Sequence, residues 1–386
     1  MELLHKYLVQ DRDFSSYEDF IDNFKINLPD TFNFAFDVVD FYAQNAPEKL
    51  ALVWCDDDDN EKIFTFKQIS DLSSQAANFL IKMGIKKGDA VMLVMHRRYE
   101  YWFFVLALHK IGAIGVPVTD QLLKNDFEYR IKAVNAKMIV AGTNAYTMEQ
   151  ISEAVKADKN PKKLVSVTLQ KDGWIDYHQE INNFSFDFAR PSSDSEFATK
   201  NDDPMLIYFT SGTSGNPKMV VHNFVYPLGH IITAKYWQNV VSDGLHYSMA
   251  ETGWAKASWG KLYGQWLAGS AVFVYDRRGF NPEKILSKLE KYKITTFCAP
   301  PTIYRYLVKQ DFSKYDLSSL KCCTTAGEAL NGEVFTKFYE KTGLQIHEGY
   351  GQTEASVMIA NLPFFDAKQG SMGKICPGYD IKIVDV

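Results

Sequence analysis

The sequence contains few cysteines, and their arrangement argues against a structural zinc site. Its five cysteines form no CxxC pair and have no histidine-rich stretch as a partner. An odd and sparse set of cysteines is typical of a reducing compartment. Residues 1–14 also lack the apolar core of a signal peptide. We therefore expect a cytoplasmic protein.

No apolar run is long enough to cross a membrane. The most apolar stretch, residues 101–118, is interrupted by His109, Lys110 and two glycines. It is shorter than the ~20 residues that a spanning helix needs, so we interpret it as a buried helix followed by a strand and expect no membrane insertion. An excess of positive charge is missing too. The net charge of −5 argues against a general affinity for nucleic acid or for anionic membranes.

The chain is, in contrast, long and rich in apolar residues. Its 386 residues exceed one ordinary domain, and a hydrophobic share of 46% fits a protein with a sizeable core. Apolar segments at 49–54, 90–95 and 136–142 read as strands, with helical patterns filling the longer gaps between them. The alternation returns from residue 205 onward. Strands that alternate with helices predict parallel βα units.

We therefore predict an α/β fold. It has two βα-layered subdomains built on parallel sheets and a small β-rich, barrel-like subdomain. The polar, aperiodic residues 171–203 are interpreted as the linker between the first two. The predicted divisions are an N-terminal extension at 1–32, a first α/β subdomain at 33–195, a second α/β subdomain with a phosphate loop at 196–345, and the start of the β-rich subdomain at 346–386.

A hydroxyl-rich, cationic loop follows the apolar strand that begins the second series. It reads TSGTSGNPK from Thr210 to Lys218. Glycines let the backbone approach a ligand and turn its N–H groups toward it, while hydroxyls and a lysine add donors and charge. This combination suits phosphate at the carboxyl end of a strand. It is not a Walker A loop, because Asn216 and Pro217 separate Gly215 from the lysine. An ordinary flexible loop is the alternative.

Two further stretches each end a strand in the second half of the chain. They read TTAGEALN at 324–331 and HEGYGQTEAS at 347–356. The ordered set TSGTSGxPK, GEAL and YGxTE resembles the adenylate-forming superfamily, which contains acyl-CoA synthetases, peptide-synthetase adenylation domains and luciferases. The resemblance covers nearly the whole chain from about residue 33. Residues 251–276 and 295–307 look like the medium-chain acyl-CoA synthetase branch.

The resemblance implies a reaction in two steps. A carboxylate attacks the α-phosphorus of ATP and pyrophosphate leaves, and the acyl-adenylate then passes its acyl group to the thiol of coenzyme A. Both reactants of the first step are anions, so the site must supply positive potential and positioning. The implied substrates are ATP, coenzyme A and a carboxylic acid, with Mg²⁺ as the metal. Dimers are common in the family, but no stretch here specifies a homodimer.

The resemblance also assigns roles in the ATP site. The loop would cradle the β- and γ-phosphates, residues 327–329 would flank adenine, and Tyr350 would offer adenine a flat face. Thr353 would hydrogen-bond the α-phosphate, and Glu354 would help to hold Mg²⁺, with Thr210 as a weaker metal contact. The predicted catalytic residues are Lys218, Thr353 and Glu354, and the predicted ATP-binding residues are Thr210, Ser211, Gly212, Thr213, Ser214, Gly215, Asn216, Pro217, Lys218, Gly327, Glu328, Ala329, Glu348, Gly349, Tyr350, Gly351, Gln352 and Thr353.

The acyl pocket is predicted mainly from one missing side chain and one bulky one. Acetate-specific relatives carry a tryptophan where this chain has Gly351, so the resemblance implies a longer pocket and an acid larger than acetate. Trp259 would cap the pocket against long acids, and Lys256 lies one helical turn before it. Core packing, or solvation for the lysine, is the alternative for each. The predicted pocket residues are Trp237, Lys256, Trp259, Cys298 and Gly351.

Part of the family pattern is missing. No TGD motif occurs, and the resemblance implies that a hinge, an arginine and an adenylating lysine accompany it in a C-terminal domain. We therefore expect this chain to be the N-terminal portion of a longer protein, weakly active or inactive by itself.

Other readings stay open. A freestanding amino-acid or aryl-acid adenylation domain normally needs an aspartate for an amino-acid substrate, and Asp243 reads as a turn. A luciferase-like oxygenase shares the scaffold, and a non-catalytic nucleotide-binding module is the class-level alternative. We interpret His222 and His230 as structural, Gln121 as a weak candidate near the carboxylate, and the acidic run 56–60 as a solvated turn.

Overall fold

The structure is a computed structural model that describes residues 3–10, 12–156, 158, 160, 162–210 and 215–385. Within these ranges the framework consists of a seven-stranded and a nine-stranded sheet. The strands are β1 Leu50–Asp56, β2 Glu61–Thr65, β3 Ala90–Met95, β4 Ile114–Pro117, β5 Met138–Gly142, β6 Lys163–Ser166, β7 Ile175–Asp176, β8 Pro204–Thr210, β9 Lys218–Asn223, β10 Leu245–Ser248, β11 Ala271–Asp276, β12 Thr296–Cys298, β13 Cys322–Ala326, β14 Ile346–Gln352, β15 Ala355–Ala360 and β16 Lys374–Ile375.

Helices connect most of these strands. The α-helices are α1 Tyr17–Asn23, α2 Phe41–Asn45, α3 Phe66–Lys82, α4 Glu100–Ile111, α5 Lys124–Ala133, α6 Ala145–Lys156, α7 Tyr177–Glu180, α8 Tyr226–Ile231, α9 Lys256–Gly260, α10 Tyr263–Leu267, α11 Pro282–Lys291, α12 Pro301–Leu307 and α13 Gly332–Thr342. Wider π-helical turns span Ala35–Asp40 and Ile232–Trp237, and 3₁₀ turns span Leu3–Lys6, Ile181–Asn183 and Phe312–Lys314.

The seven-stranded sheet has the order β7-β6-β5-β3-β4-β8-β9, and only its β8–β9 pair is antiparallel. The nine-stranded sheet has the order β16-β15-β14-β13-β12-β10-β11-β1-β2. Its centre is parallel, and antiparallel pairs stand at both ends. The predicted α/β fold with parallel sheets is therefore confirmed.

Local signals explain several element boundaries. Thr65 and Gln68 form a reciprocal capping box at the start of α3. Asn281 caps α11 by accepting a hydrogen bond from the backbone N–H of Lys284, and Pro282 occupies its first turn. All six residues of β3 are buried, as expected for a parallel strand covered on both faces.

The apolar stretch 101–118 folds as expected. It forms α4, in which every residue is buried, and then β4. One core cluster combines side chains of α4 with those of both sheets, so this helix contributes to the interior that joins them. In the described part of the chain, no helix has both the length and the apolar character to span a bilayer.

Sheet membership crosses the predicted division at residue 195. The β1–β2 hairpin pairs with β11 in the nine-stranded sheet, with Leu52 opposite Val272. Strands β8 and β9, from beyond the division, complete the seven-stranded sheet. The two sheets thus exchange segments, and the division itself stays a prediction. The predicted linker holds β7, α7 and a 3₁₀ turn before residues 184–203, which contain neither helix nor strand.

The residues after 345 do not form a separate barrel among the described residues. Strand β14 pairs in parallel with β13, with Ala326 opposite Gly349, and β15 and β16 add to the same sheet. The β-rich segment is therefore an edge of the nine-stranded sheet, because β14 finds its hydrogen-bonding partner in the preceding βα unit.

Candidate active site

The predicted phosphate loop connects two antiparallel strands. Strand β8 ends at Thr210, which pairs with Lys218 at the start of β9. Ser211, Gly212, Thr213 and Ser214 lie outside the described residues. Gly215 has φ 87°, and a Cβ placed on it would meet no atom within 4 Å. Asn216 and Lys218 are exposed, and Pro217 accepts a 2.9 Å hydrogen bond at its carbonyl from the Tyr129 hydroxyl. The end of the loop is thus anchored while its lysine faces solvent.

The GEA segment leaves the carboxyl end of β13. Gly327, Glu328 and Ala329 are exposed, and Gly327 has φ 104°. Thr302 donates its hydroxyl to the Glu328 carboxylate, at 3.0 and 3.1 Å from the two oxygens. Because β13 and β14 are parallel neighbours, the GEA segment and the end of β14 lie side by side. This is the arrangement expected of two ligand-binding loops at one sheet edge.

Glu348 is a buried carboxyl in β14, 6% exposed. Its Oε1 accepts a 3.4 Å hydrogen bond from the Leu330 backbone N–H. Burial raises the pKa of Glu348, because the charged form loses hydration, and the Leu330 contact only partly offsets this effect. Tyr350 is half-buried further along the strand, and Gln352 is exposed at its end.

Thr353 and Glu354 form the turn between β14 and β15. Gln352 pairs with Ala355 on either side of it. The His222 Nε2 lies 2.8 Å from the Thr353 carbonyl oxygen, which joins this turn to β9. Glu354 is exposed and borders a cavity of about 580 Å³ together with His222. We call Thr210, Gly215–Lys218, Thr353 and Glu354 the phosphate edge.

Two tryptophans pack against two glycines of β14. A Cβ on Gly349 would lie 2.6 Å from the ring of Trp237, and one on Gly351 would collide with the ring of Trp259 and lie 2.5 Å from the Ser356 carbonyl oxygen. The tryptophan rings meet edge to face, with centroids 6.5 Å apart. The Trp237 indole N–H donates to the His347 carbonyl at 3.2 Å. We call Trp237, Trp259, Gly349 and Gly351 the glycine–tryptophan wall.

Lys256 and Cys298 lie next to this wall. The Lys256 ammonium donates to the Ala326 carbonyl at the end of β13, and a Cβ on Gly327 would lie 3.6 Å from it. Burial lowers the pKa of Lys256. Cys298 is 2% exposed and shares a core cluster with both tryptophans. The predicted pocket residues are therefore neighbours in the structure, while their roles in binding an acid stay predictions.

Some candidates lie elsewhere or have another partner. Gln121 is exposed in a turn, and Asp243 forms an ion pair with Lys49. His230 is fully buried beside Thr233, 3.3 Å from its hydroxyl, and burial lowers the pKa of His230 to about 3. Asp57 of the acidic turn receives hydrogen bonds from the Tyr275 hydroxyl, the Lys284 ammonium and a backbone N–H.

The implied Mg²⁺ has few protein ligands here. No group of three or more His, Cys, Asp or Glu side chains suited to a metal occurs in the described ranges. Mg²⁺ in nucleotide enzymes commonly binds through one or two carboxylates together with substrate phosphates and water. The exposed Glu354 carboxylate fits that role, in which the phosphates of a nucleotide bound at the phosphate edge would supply further oxygen ligands.

Sequence reasoning missed a second cavity and two anchoring contacts. The cavity, of about 350 Å³, lies beside Lys256 and is lined by Glu251, Trp254 and Arg277 among others. Its signals in the sequence were the run ETGW at 251–254 and Lys256, which was predicted as a pocket residue. Thr302 lies in the branch-like stretch 295–307 and Tyr129 in a predicted helix, but neither pattern indicates which residue the hydroxyl contacts.

This fold, with these motifs at the ends of its strands, is that of the AMP-binding enzymes. The family profile with that description matches residues 39–386, and the chain belongs to this family. Within it, the chain is similar to the acyl-coenzyme A synthetases. It is 35% identical over 383 residues to the mitochondrial acyl-coenzyme A synthetase ACSM3 of Homo sapiens, covering 97% of this chain and 64% of the relative. The rat (Rattus norvegicus) mitochondrial ACSM4 is 37% identical over 370 residues, covering 93% and 62%.

Solved structures agree on the fold. An acyl-CoA synthetase of Brucella canis superposes with a TM-score of 0.84 at 24% identity, covering 96% of this chain and 68% of that one. The anthranilate CoA ligase AuaEII, solved with anthranoyl-AMP, gives 0.80 at 27% identity, covering 93% and 67%. The resemblance to the medium-chain acyl-CoA synthetase branch is confirmed by the identity to ACSM3 and ACSM4.

The comparisons correct one expectation. ACSM3 and ACSM4 are both named as mitochondrial proteins, so the cytoplasmic location expected from the cysteines is wrong. A sparse set of cysteines indicates reducing surroundings and does not separate one reducing compartment from another. The chain spans about 64% of the length of the ACSM3 relatives that it matches.

Proposed function

We propose that this chain is the ATP- and acid-binding portion of an AMP-forming acyl-CoA synthetase. The observation that carries the proposal is the meeting of three motif ends. Parallel pairing sets the GEA segment beside the end of β14, and the His222–Thr353 contact brings β9, at the end of the phosphate loop, to the YGQTE turn. A nucleotide at this junction would have adenine near Glu328 and Tyr350 and its phosphates along the phosphate edge.

The phosphate edge offers groups that suit the triphosphate of ATP. Lys218 and the loop N–H groups would hold the β- and γ-phosphates, and the Thr353 hydroxyl would orient the α-phosphate. Bound Mg²⁺, held by Glu354 and more weakly by Thr210, would supply positive charge that offsets the triphosphate. The carboxylate of the acid would approach from the wall side. Its attack on the α-phosphorus would release pyrophosphate past the exposed Lys218. Transfer of the acyl group from the acyl-adenylate to the coenzyme A thiol would then release AMP.

The glycine–tryptophan wall favours carboxylic acids of limited chain length as substrates. The resemblance implies that a glycine at position 351 gives a longer pocket than acetate-specific relatives have, and so an acid larger than acetate. The ring of Trp259 fills the space directly against that glycine, so it would end the pocket for long chains. We propose short- to medium-chain acids as substrates. From the names of the relatives we also propose a mitochondrial location.

Acid-dependent exchange of labelled pyrophosphate into ATP tests the proposal. The assay compares acetate, propionate, butyrate, 2-methylbutyrate, hexanoate and octanoate with and without Mg²⁺, alongside ATP binding by calorimetry. We expect ATP binding, and any exchange to need Mg²⁺ and peak above acetate. Exchange that is highest with acetate would contradict the pocket assignment. A chain that does not bind ATP would contradict the proposed function altogether.

A further inference from the structure

Strand β9 has one buried side chain, and it is a histidine. The strand forms the edge of the seven-stranded sheet next to β8, and its burial pattern leaves Lys218 and Met219 exposed and only His222 buried. His222 is 8% exposed. Buried polar groups almost always have a hydrogen-bond partner. The buried imidazole of this edge strand should therefore have one.

The partner is the turn that carries Thr353 and Glu354. This turn has two residues, since Gln352 and Ala355 pair on either side of it. Two-residue hairpin turns favour backbone types with positive φ, which Gly, Asn and Asp adopt most readily. Neither Thr353 nor Glu354 has positive φ, and the strand register shifts just before the turn, between Tyr350 and Gln352. The local sequence therefore lacks the residues that favour such a turn, and a contact from outside would stabilise it.

The ring of His222 is fixed in two ways. It stacks on Tyr226 with ring centroids 3.8 Å apart and planes 20° from parallel. Its Nε2 lies 2.8 Å from the Thr353 carbonyl, a distance typical of a good hydrogen bond. Burial lowers the pKa of His222, which favours the neutral ring. A neutral ring that carries its proton on Nε2 is the donor that this carbonyl requires.

We propose that His222 is a positioning residue that holds the Thr353–Glu354 turn against β9. The contact joins the two sheets where the phosphate loop and the YGQTE turn meet, so it sets the Thr353 hydroxyl and the Glu354 carboxylate relative to Lys218. This inference rests on the proposed function, in which those three groups meet the triphosphate. His222 itself touches neither nucleotide nor acid in this arrangement and acts through the turn.

Two substitutions separate the donor from the ring. His222→Phe keeps an aromatic ring on Tyr226 and removes the donor. His222→Gln removes the ring and places an amide N–H at about the reach of Nε2. We expect the Phe variant to bind ATP about three- to tenfold more weakly, the effect of one neutral hydrogen bond, and the Gln variant to stay within about twofold of the wild type. Calorimetry with ATP and Mg²⁺ measures both.

Amide hydrogen exchange of the unliganded chain provides a readout that does not need ATP. Residues 353–356 should exchange faster in the Phe variant than in the wild type or the Gln variant, because the turn opens more often without its outside contact. Equal exchange in all three proteins would overturn the inference. So would a Gln variant that binds ATP as poorly as the Phe variant, since the ring would then be the essential part. If wild-type protein fails to bind ATP, the proposed function is wrong, and the exchange data alone decide the role of His222.

Discussion

The two sides of the candidate site are built in opposite ways. At the glycine–tryptophan wall no Cβ fits on Gly349 or Gly351, and Trp237 is fully buried. At the phosphate edge a Cβ on Gly215 would meet nothing, and Lys218 and Glu354 are exposed. The contrast teaches that contacts within the protein fix the shape of the wall, whereas the charged side chains of the edge lie in solvent and need a bound ligand to order them.

The largest expected loss of stability comes from a substitution in the glycine–tryptophan wall. Trp237→Ala should lower the free energy of unfolding by about 3–5 kcal/mol, because it leaves a large cavity and removes the hydrogen bond from the indole N–H to the His347 carbonyl. The urea midpoint, with its slope, measures this change. Trp254→Ala is the matched control, since that tryptophan is 55% exposed, and it should shift the midpoint little. Equal losses in both variants would show that the wall is not specially packed.

A smaller loss is expected when the wall is overfilled. Gly351→Ala should cost about 1–3 kcal/mol, because the new methyl group must displace the ring of Trp259 or the Ser356 carbonyl. Gly279→Ala provides the control, since a Cβ there would meet no atom within 4 Å. Urea unfolding compares the two. An unchanged midpoint for Gly351→Ala would mean that the wall gives way easily and cannot limit acid length.

A substitution at the phosphate edge should change the affinity for ATP rather than the free energy of unfolding. Lys218→Met should leave the urea midpoint in place and weaken ATP binding by about tenfold or more, the effect of one hydrogen bond to a charged group. Lys25→Met removes the same charge from an exposed position in the N-terminal segment. If both variants lose affinity equally, the effect is one of net charge and not of the loop.

The smallest effect concerns Glu348, which lies between the two sides. Its folded-state pKa is raised by burial, so its favourable contribution is complete below the unfolded pKa of about 4.3 and is lost as the pH rises through the folded pKa. Glu348→Gln should therefore be slightly more stable than the wild type at pH 7, with the advantage fading toward pH 4. Thermal unfolding across this range provides the check. An advantage that grows toward acidic pH would have the wrong sign.

The sequence allowed prediction of the main strands and of the motifs at their ends, because both depend on local patterns. The side-by-side placement of the GEA and YGQTE segments follows from parallel strands sharing one edge. Sequence reasoning could not predict the pairing of Leu52 with Val272, because hydrophobic periodicity does not specify which distant strand is the partner. The His222–Thr353 contact was out of reach for the same reason. The close packing of the Trp259 ring against Gly351 was out of reach as well, because a glycine in a sequence does not indicate which side chain packs against it.

The exchange of segments between the sheets has a consequence for synthesis of the chain. On the ribosome, β1 emerges long before β11, the strand that it joins, and β4 has one unpaired edge until β8 appears. Exposed strand edges are templates for wrong pairing and aggregation. A nascent chain released at residue 195 would carry such edges in both sheets, so we expect that neither sheet can be completed before the other half of the chain is present.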